Sequence, residues 1–424
     1  MYKRILSILL CLILLVTFTG CIESSETDDN VYAISIGLDK GNNNKVIVTI
    51  QYPTYRDGGG VSGTNSSANS SLGANVHSIE SPSVLQSVNL FNMAISRKVS
   101  LKHVKMLVIS EELARKGIAQ YVVPLARFRE LRRSMSVIIT KNKAVDFIKD
   151  NKANIGNSVT KTIELMEVQS KTTGFFPVTK LHEFYKELSM SYGQAYAAYT
   201  GINDLTKLKF NKANNDGSQL MINENYLPGE LPRSGIAKRE FVGTAVFDGD
   251  KMVGALNPWE TRCLLMITNK FNKGVFTIDD KLSPENAIAI ELKLARKTKI
   301  KASFKDDKPN VDVDLYLEGD IGGIQSRISY ERLDLMQNLN HQIEVYIKKL
   351  MDKTIEKTQK DFKSDVFQFG EEFVTYFPTI QKWEDYNWLK HYPEAKVNVN
   401  VKVEIRRTGL RTGRFHIFSD NGKD

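Results

Sequence analysis

Six histidines (His77, His103, His182, His341, His391 and His416) and three cysteines (Cys11, Cys21 and Cys263) are the side chains best suited to metal, acid–base or nucleophilic chemistry. Their spacing assembles none of it. No histidine pair stands in an HExxH, and no Cys/His set has zinc-site spacing. Neither Gly-x-Ser-x-Gly nor a Walker motif occurs. Cys263 follows Arg262, whose charge could favour a thiolate, but the apolar run CLLMI reads as a buried structural cysteine. His103, flanked by Lys102 and Lys105 at the head of an apolar run, could act as a base; it reads instead as a hydrogen-bonded structural histidine. Arg127, Arg129, Arg132 and Arg133 crowd one expected helix. They could meet lipid phosphates or an acidic partner face, or form a solvated helix face, and both readings stand. Glu260, after Trp259, reads as structural rather than as an orienter of a partner loop, and Asp361 and Asp365 read as polar residues at a helix end. The sequence therefore predicts no catalytic residue, no metal and no cofactor.

One cysteine has a different chemistry. Met1–Cys21 begins with Lys3 and Arg4, continues as an apolar run from Ile5 to Val16, and ends in small and polar residues. That is the layout of a secretory signal, and the run is shorter than the ~20 apolar residues a membrane span needs. Phe18-Thr19-Gly20-Cys21 resembles a bacterial lipobox, in which the cysteine thiol receives a diacylglyceryl group and becomes the new N-terminus; Phe18 stands where Leu is usual. Residues 1–20 are thus expected to be a lipoprotein signal peptide, Cys21 the lipidation site and residues 21–30 a polar tether. Two acyl chains give stable anchoring. The plainer reading is a signal cleaved near Gly20 with Cys21 incidental. No second run approaches membrane-spanning length.

With 424 residues, 42% of them hydrophobic and 25% charged, the chain has ordinary globular composition and room for two or three domains. After Cys11 and Cys21 only Cys263 remains, so an exported chain would carry no disulfide framework. The formal charge of +9, or +7 once Lys3 and Arg4 leave with the signal, suits a protein beside an anionic membrane. No basic motif interleaved with aromatics points to nucleic acid.

The elements that would position these residues follow from periodicity. VYAISIGLD (31–39) and KVIVTIQY (45–52) read as a hairpin across GNNN. The Gly/Ser/Asn-rich stretch 57–74 reads as a mobile loop rather than a phosphate cradle. Ser81-Pro82 should open a helix, 104–110 form a buried strand, Ser110 open a further helix, and 121–133 be helical with Pro124 near its start. A strand at 135–140 and a helix at 144–148 follow, then a largely helical stretch from 157 to 201 with a break near 174–177. Residues 207–239 lose periodicity and are expected to be a linker. Beyond it, 241–247 and 252–256 form a hairpin across DGDK, and a short helix starts at Pro258. Residues 288–304 alternate as one long strand that turns back at Asp306-Asp307, and 397–405 are the cleanest strand of the chain. From 330 to 362 runs an amphipathic helix, read as lying across a sheet in preference to a coiled coil. The fold expected is α/β and α+β, multidomain: an N-terminal α/β domain (31–206), a linker (207–239), a small middle domain (240–285), a C-terminal α+β domain with an antiparallel sheet and a long covering helix (286–412), and a tail (413–424).

Six segments in order carry a family resemblance: VYAISIGLD with its Gly-x-Asp end, SRKVSLKHVKMLVIS (96–110), RFRELRR leading to SMSVIIT (127–140), GTAVFDGDKMVGALNPWE (243–260), DFKSDVFQFG (361–370) and 388–405. Behind a lipobox, they resemble the Ger(x)C spore germination lipoproteins, the C-subunits of nutrient germinant receptors. The Asp-x-Trp usual before the first strand is missing, since Asp28-Asp29-Asn30-Val31-Tyr32 has no Trp. The resemblance implies a non-enzymatic, lipid-anchored subunit on the outer face of the spore inner membrane. Its implied partners are two integral membrane receptor subunits (A and B type) and, through Cys21, membrane lipid. The rival expectation is a substrate-binding lipoprotein for a small nutrient, although the two halves differ and no internal repeat is evident. A cortex hydrolase would need a carboxylate pair that no motif marks.

Overall fold

The first expected strand is two strands that belong to different sheets. In the computed structural model, which describes residues 1–7, 29–53, 74–152, 158–205, 226–326 and 328–408, β1 (Asn30–Tyr32) stands apart from β2 (Ser35–Lys40). β3 (Val46–Pro53) returns antiparallel to β2, and the turn between them holds Asn43 and Asn44 at φ 47° and 61°. Asparagine tolerates that left-handed backbone, which tight hairpins need. β4 (Ala74–Ser81) pairs with β3 at the sheet edge. Residues 74–81 give no strand signal in the sequence, because an exposed edge strand shows little hydrophobic alternation. Ser81 ends that strand, and it is Ser83 that caps α1 (Val84–Ala94), accepting from the Gln86 N–H.

β5 (Lys98–Ser100) pairs in parallel with β1. An alternating series follows: β6 (Met106–Ser110), α2 (Glu111–Ala114), α3 (Ala119–Arg127), β7 (Ser136–Thr140), α4 (Ala144–Lys149), α5 (Val159–Thr173), α6 (Leu181–Leu188) and β8 (Tyr196–Ile202). Two expectations change here. Pro124 sits well inside α3 rather than near its start, and β8 replaces the helix expected up to Gly201. β8 is buried along almost its whole length, so it lacks the alternation that marks a half-wet strand.

β9 (Arg239–Asp248) and β10 (Lys251–Leu256) complete an eight-stranded sheet of order β10-β9-β8-β7-β6-β2-β3-β4. Its four central strands, β8, β7, β6 and β2, are parallel, and an antiparallel hairpin flanks them on each side. Residues 240–256, expected in a separate middle segment, are therefore part of this sheet. Leu107 and Ile109 face one layer with Tyr121, Leu125 and Phe184, while Met106 and Val108 face the other with Phe147, Ile148 and Ile163.

The second sheet begins after α7 (Pro258–Ile267) and holds β11 (Lys273–Asp279), β12 (Ala287–Leu294), β13 (Lys299–Lys305) and β14 (Lys308–Ile324). The long strand expected at 288–304 is thus two. β14, at 17 residues, is long enough to pair with both along one edge. The chain breaks between them at Thr298, whose hydroxyl donates to the Met266 carbonyl. Asp306 and Asp307, at φ 50° and 58°, make the expected turn.

α8 (Leu333–Lys357) then crosses the sheet, burying Leu339, Ile343, Ile347, Met351 and Ile355 on one stripe. Each such side chain contributes about 1.5–3 kcal/mol of burial. Beyond a π-helical turn come α9 (Gly370–Phe373), α10 (Ile380–Tyr386) and α11 (Trp388–His391), followed by β15 (Lys396–Arg407). β15 pairs with the other edge of β14 in parallel, so this sheet is mixed rather than purely antiparallel. α8 is the crossover that a parallel neighbour requires.

Candidate functional site

Open parallel sheets usually bind ligands in the crevice at the carboxyl ends of their strands. Here several of the described side chains at that end are engaged with one another. Asp39, at the end of β2, accepts from the Ala144 N–H at 2.7 Å and the Val145 N–H at 3.0 Å, capping α4. Burial holds this carboxyl above its ordinary value, offset in part by those two donors. Gly37 leaves room for the same helix, since a Cβ there would stand 2.7 Å from Ile148 Cδ1. Gln51 holds the far end of α4, donating to the Ile148 and Asn151 carbonyls at 3.2 and 2.9 Å. The Gly-x-Asp motif is thus a docking device for one helix. Around it Tyr199 donates to Glu111, Lys40 pairs with Glu112 at 2.9 Å, and Lys141 pairs with Glu230 at 2.9 Å.

The two sheets meet at a second set of buried polar groups, centred on the DFKSDVFQFG stretch. Asp365, expected as a polar residue at a helix end, is fully buried. It accepts from Trp388 Nε1 at 2.8 Å and from the Gly370 N–H at 3.0 Å. Its carbonyl accepts from Gln194, while Ser364 donates to the Phe247 carbonyl of β9 at 2.6 Å. Gln368 reaches Glu187 of α6 at 3.1 Å, and Trp383 donates to Ser191 at 2.8 Å. Burial pushes Asp365 up to about 6 and Glu187 up to about 7. A Cβ at Gly370 would lie 2.4 Å from Trp388, so glycine is needed for this approach.

Arg262 forms a third tie. It is buried between Phe175, Trp259 and Phe276, with its guanidinium 4.1–4.9 Å from their ring centroids. It donates to the Thr173 carbonyl at the end of α5 and to the Val275 carbonyl of β11. The guanidinium is therefore committed to stacking, while burial raises the Cys263 thiol to about 12, so no thiolate forms there. Glu260 belongs to a capping box on α7: its N–H donates to Asn257 Oδ1, its carboxylate accepts from the Asn257 N–H, and Lys357 pairs with it at 2.7 Å. Beside it lies an open cavity of about 480 Å³ lined by Trp259, Tyr346, Leu350, Lys349 and Lys353.

The remaining candidates lie apart. His103 is exposed and meets the Tyr32 ring edge-on at 4.7 Å, with no hydrogen bond to a described residue. His77 hydrogen-bonds and stacks with Tyr52 on the sheet edge, while His391 stacks on Tyr386. Arg127 ends α3, but Arg129, Arg132 and Arg133 lie beyond it, in the connection to β7. They do not share a helix as expected, yet all four are exposed. Among the described residues no group of three or more His, Cys, Asp or Glu could hold a metal ion, and no helix is long and apolar enough to cross a membrane. Cys11, Cys21, His416, nearly all of the 57–74 stretch and the 413–424 tail lie outside the described residues.

A two-module α/β protein joined by a buried polar junction is the class these features define. Two family models cover the chain in order: a spore germination protein N-terminal domain over residues 23–202, and a "Spore germination B3/ GerAC like, C-terminal" domain over 242–409, which begins within β9 of the first sheet. Curated relatives span nearly the full length. Spore germination protein YndF of Bacillus subtilis is 25% identical over 95% of this chain and 96% of its own. Spore germination protein KC of the same organism is 24% identical over 99% and 100%, and GerQC of Bacillus cereus 21% over 95% and 98%. The crystal structure of the GerBC protein shares the fold with a TM-score of 0.52 at 16% identity, covering 87% of this chain and 96% of that one. The chain belongs to the Ger(x)C family of spore germination proteins.

Proposed function

We propose that this chain is the lipid-anchored, non-catalytic C-subunit of a spore nutrient germinant receptor. In this reading it is held by an acylated Cys21 on the outer face of the spore inner membrane, beside two integral membrane subunits. It helps assemble the complex and couples nutrient binding to germination. The observation that carries the reading is the match of both halves, in order, to the two domains of spore germination proteins, with full-length relatives bearing that description. The junction around Asp365 and Trp388 suits a coupling role, because it ties the parallel sheet to the mixed one through buried hydrogen bonds rather than a flexible hinge. That same closed junction argues against the rival, a small-nutrient-binding lipoprotein, whose two lobes would open around a cleft.

The genetic test uses spores with no redundant receptor. Cys21→Ala or deletion should abolish germination with nutrients and leave germination by a receptor-independent trigger intact. A normal nutrient response in the null strain would reject the reading. Labelling with a palmitate analogue separates the anchor from the rest: a Cys21→Ala protein that still labels would refute lipidation at that residue.

A further inference from the structure

We infer that the amino-terminal end of the parallel sheet is a membrane-docking face that binds anionic phospholipid headgroups directly. The three strands β2, β6 and β7 start in register, Ser35 beside Met106 and Met106 beside Ser136. The segments that lead into them must therefore emerge at one end of the molecule. Those segments carry the basic residues. Arg127, Arg129, Arg132 and Arg133 precede β7; Lys102 precedes β6; Arg97 and Lys98 border β5, which pairs with β1 just ahead of β2. Backbone bonds tie the group together: Lys105 N–H to the Ile34 carbonyl, Ser136 N–H to the Lys105 carbonyl, and His182 N–H to the Arg133 carbonyl.

Elsewhere on this domain some exposed cations find carboxylates, as Lys40 does with Glu112 and Lys141 with Glu230, while others, such as Lys45, Lys149 and Lys171, stand singly without an ion pair among the described residues; what sets this end apart is that its exposed cations are clustered. Here Arg97, Lys98, Lys102 and the four arginines are exposed with no ion-pair partner among the described residues. Lys105 contacts Glu164 only at 3.8 Å, and Glu130 is the single carboxylate within 127–133. Unpaired guanidinium groups with free forks suit phosphate oxygens, which they bind bidentately, and an anionic leaflet attracts each such cation near its surface.

The chain itself enters the fold at this end, at Asn30 of β1. If Cys21 is the acylated residue, nine peptide links allow a reach of about 30 Å at most, which keeps this face within range of the headgroups. That last step rests on the proposed lipid anchor; the basic face does not, and the test separates them.

A chain beginning at Ile22 keeps every strand and helix of both sheets and has no acyl group. Its sedimentation with vesicles of phosphatidylglycerol and phosphatidylcholine is compared with phosphatidylcholine vesicles alone. The expected result is binding only to the anionic vesicles, lost as ionic strength rises from about 0.1 M to about 1 M and the screening length falls from about 10 Å to about 3 Å. The variant R127E/R129E/R132E/R133E should weaken that binding at least tenfold. K281E/K297E/K382E/K390E, which makes the same charge change on exposed lysines of the other half, should weaken it less than threefold, with both variants checked for an unchanged melting temperature. Equal losses in the two variants, equal binding to neutral vesicles, or no binding at all would overturn the inference. No vesicle binding together with a germination defect of the arginine variant in spores would assign the face to an acidic protein instead.

Discussion

The two ends of the parallel sheet are built from similar residues and put them to opposite use. At the carboxyl end Asp39, Glu111, Glu112 and Lys141 each have a partner in the fold: the N–H groups of α4, Tyr199, Lys40 and Glu230. At the amino end Arg127, Arg129, Arg132 and Arg133 stand exposed without ion-pair partners among the described residues. Open α/β sheets generally place ligands at the first of these ends. In this chain that end is occupied largely by helix docking, and a cluster of exposed arginines without ion-pair partners among the described residues lies at the other. It is the clustering of unpaired arginines, not sheet topology, that points to the amino end.

Substitutions can break that contrast. The largest effect is expected at the closed end from Gly37→Val, which drives a side chain into Ile148, Thr49 and Ala144, all within 3.3 Å of a Cβ. It should cost about 3 kcal/mol in urea denaturation, by overpacking. Asp39→Ala, which removes the cap of α4, should cost about 2 kcal/mol. The effect at the junction depends on pH. Glu187 is raised from 4.5 to about 7 and Asp365 from 3.8 to about 6, so between those limits the folded state binds more protons than the unfolded state. Stability should then fall as pH rises from about 4 to about 7, and Glu187→Gln should flatten the upper part of that slope in thermal melts at a series of pH values. The smallest stability effect is expected at the open end: each single Arg→Glu change among 127, 129, 132 and 133 should shift unfolding by less than about 0.5 kcal/mol. A loss comparable to that of Asp39→Ala would mean that these arginines serve the fold after all.

Much of this architecture was legible in the residues, for identifiable reasons. The GNNN and DGDK hairpins, the buried strands β6 and β7 and the long helix α8 carry strong local signals, and the structure has each of them. The elements missed are those whose signal is tertiary. β8 is buried on both faces and shows no alternation; β4 is an edge strand and shows little; the alternation of 288–304 cannot reveal that β14 pairs with two separate strands. The family segments were visible as strings, but their purposes were not. Gly37 and Asp39 dock a helix, Asn257 and Glu260 form a capping box that Lys357 joins, and Asp365 anchors a buried tryptophan. Local pattern places the arginines on one helix. Their meeting with Lys98 and Lys102 depends on strand register, which no local pattern encodes. An internal clue for Asp365 did exist: the aromatic spacing of VFQFG and the tryptophan at 388 mark a buried neighbourhood.

Orientation at the membrane is the most direct test. In a chain beginning at Ile22, a thiol-reactive fluorophore is placed at Ser134→Cys on the basic end or at Lys143→Cys on the carboxyl end, both exposed positions. Cys263 will not compete, being buried with its thiol pushed up to about 12. Each labelled protein is bound to phosphatidylglycerol vesicles that carry a nitroxide on the lipid headgroup, and quenching is read. Quenching severalfold stronger at 134 than at 143 is the predicted result; equal quenching at the two sites, or stronger quenching at 143, would contradict a molecule that sits on the membrane by its basic end.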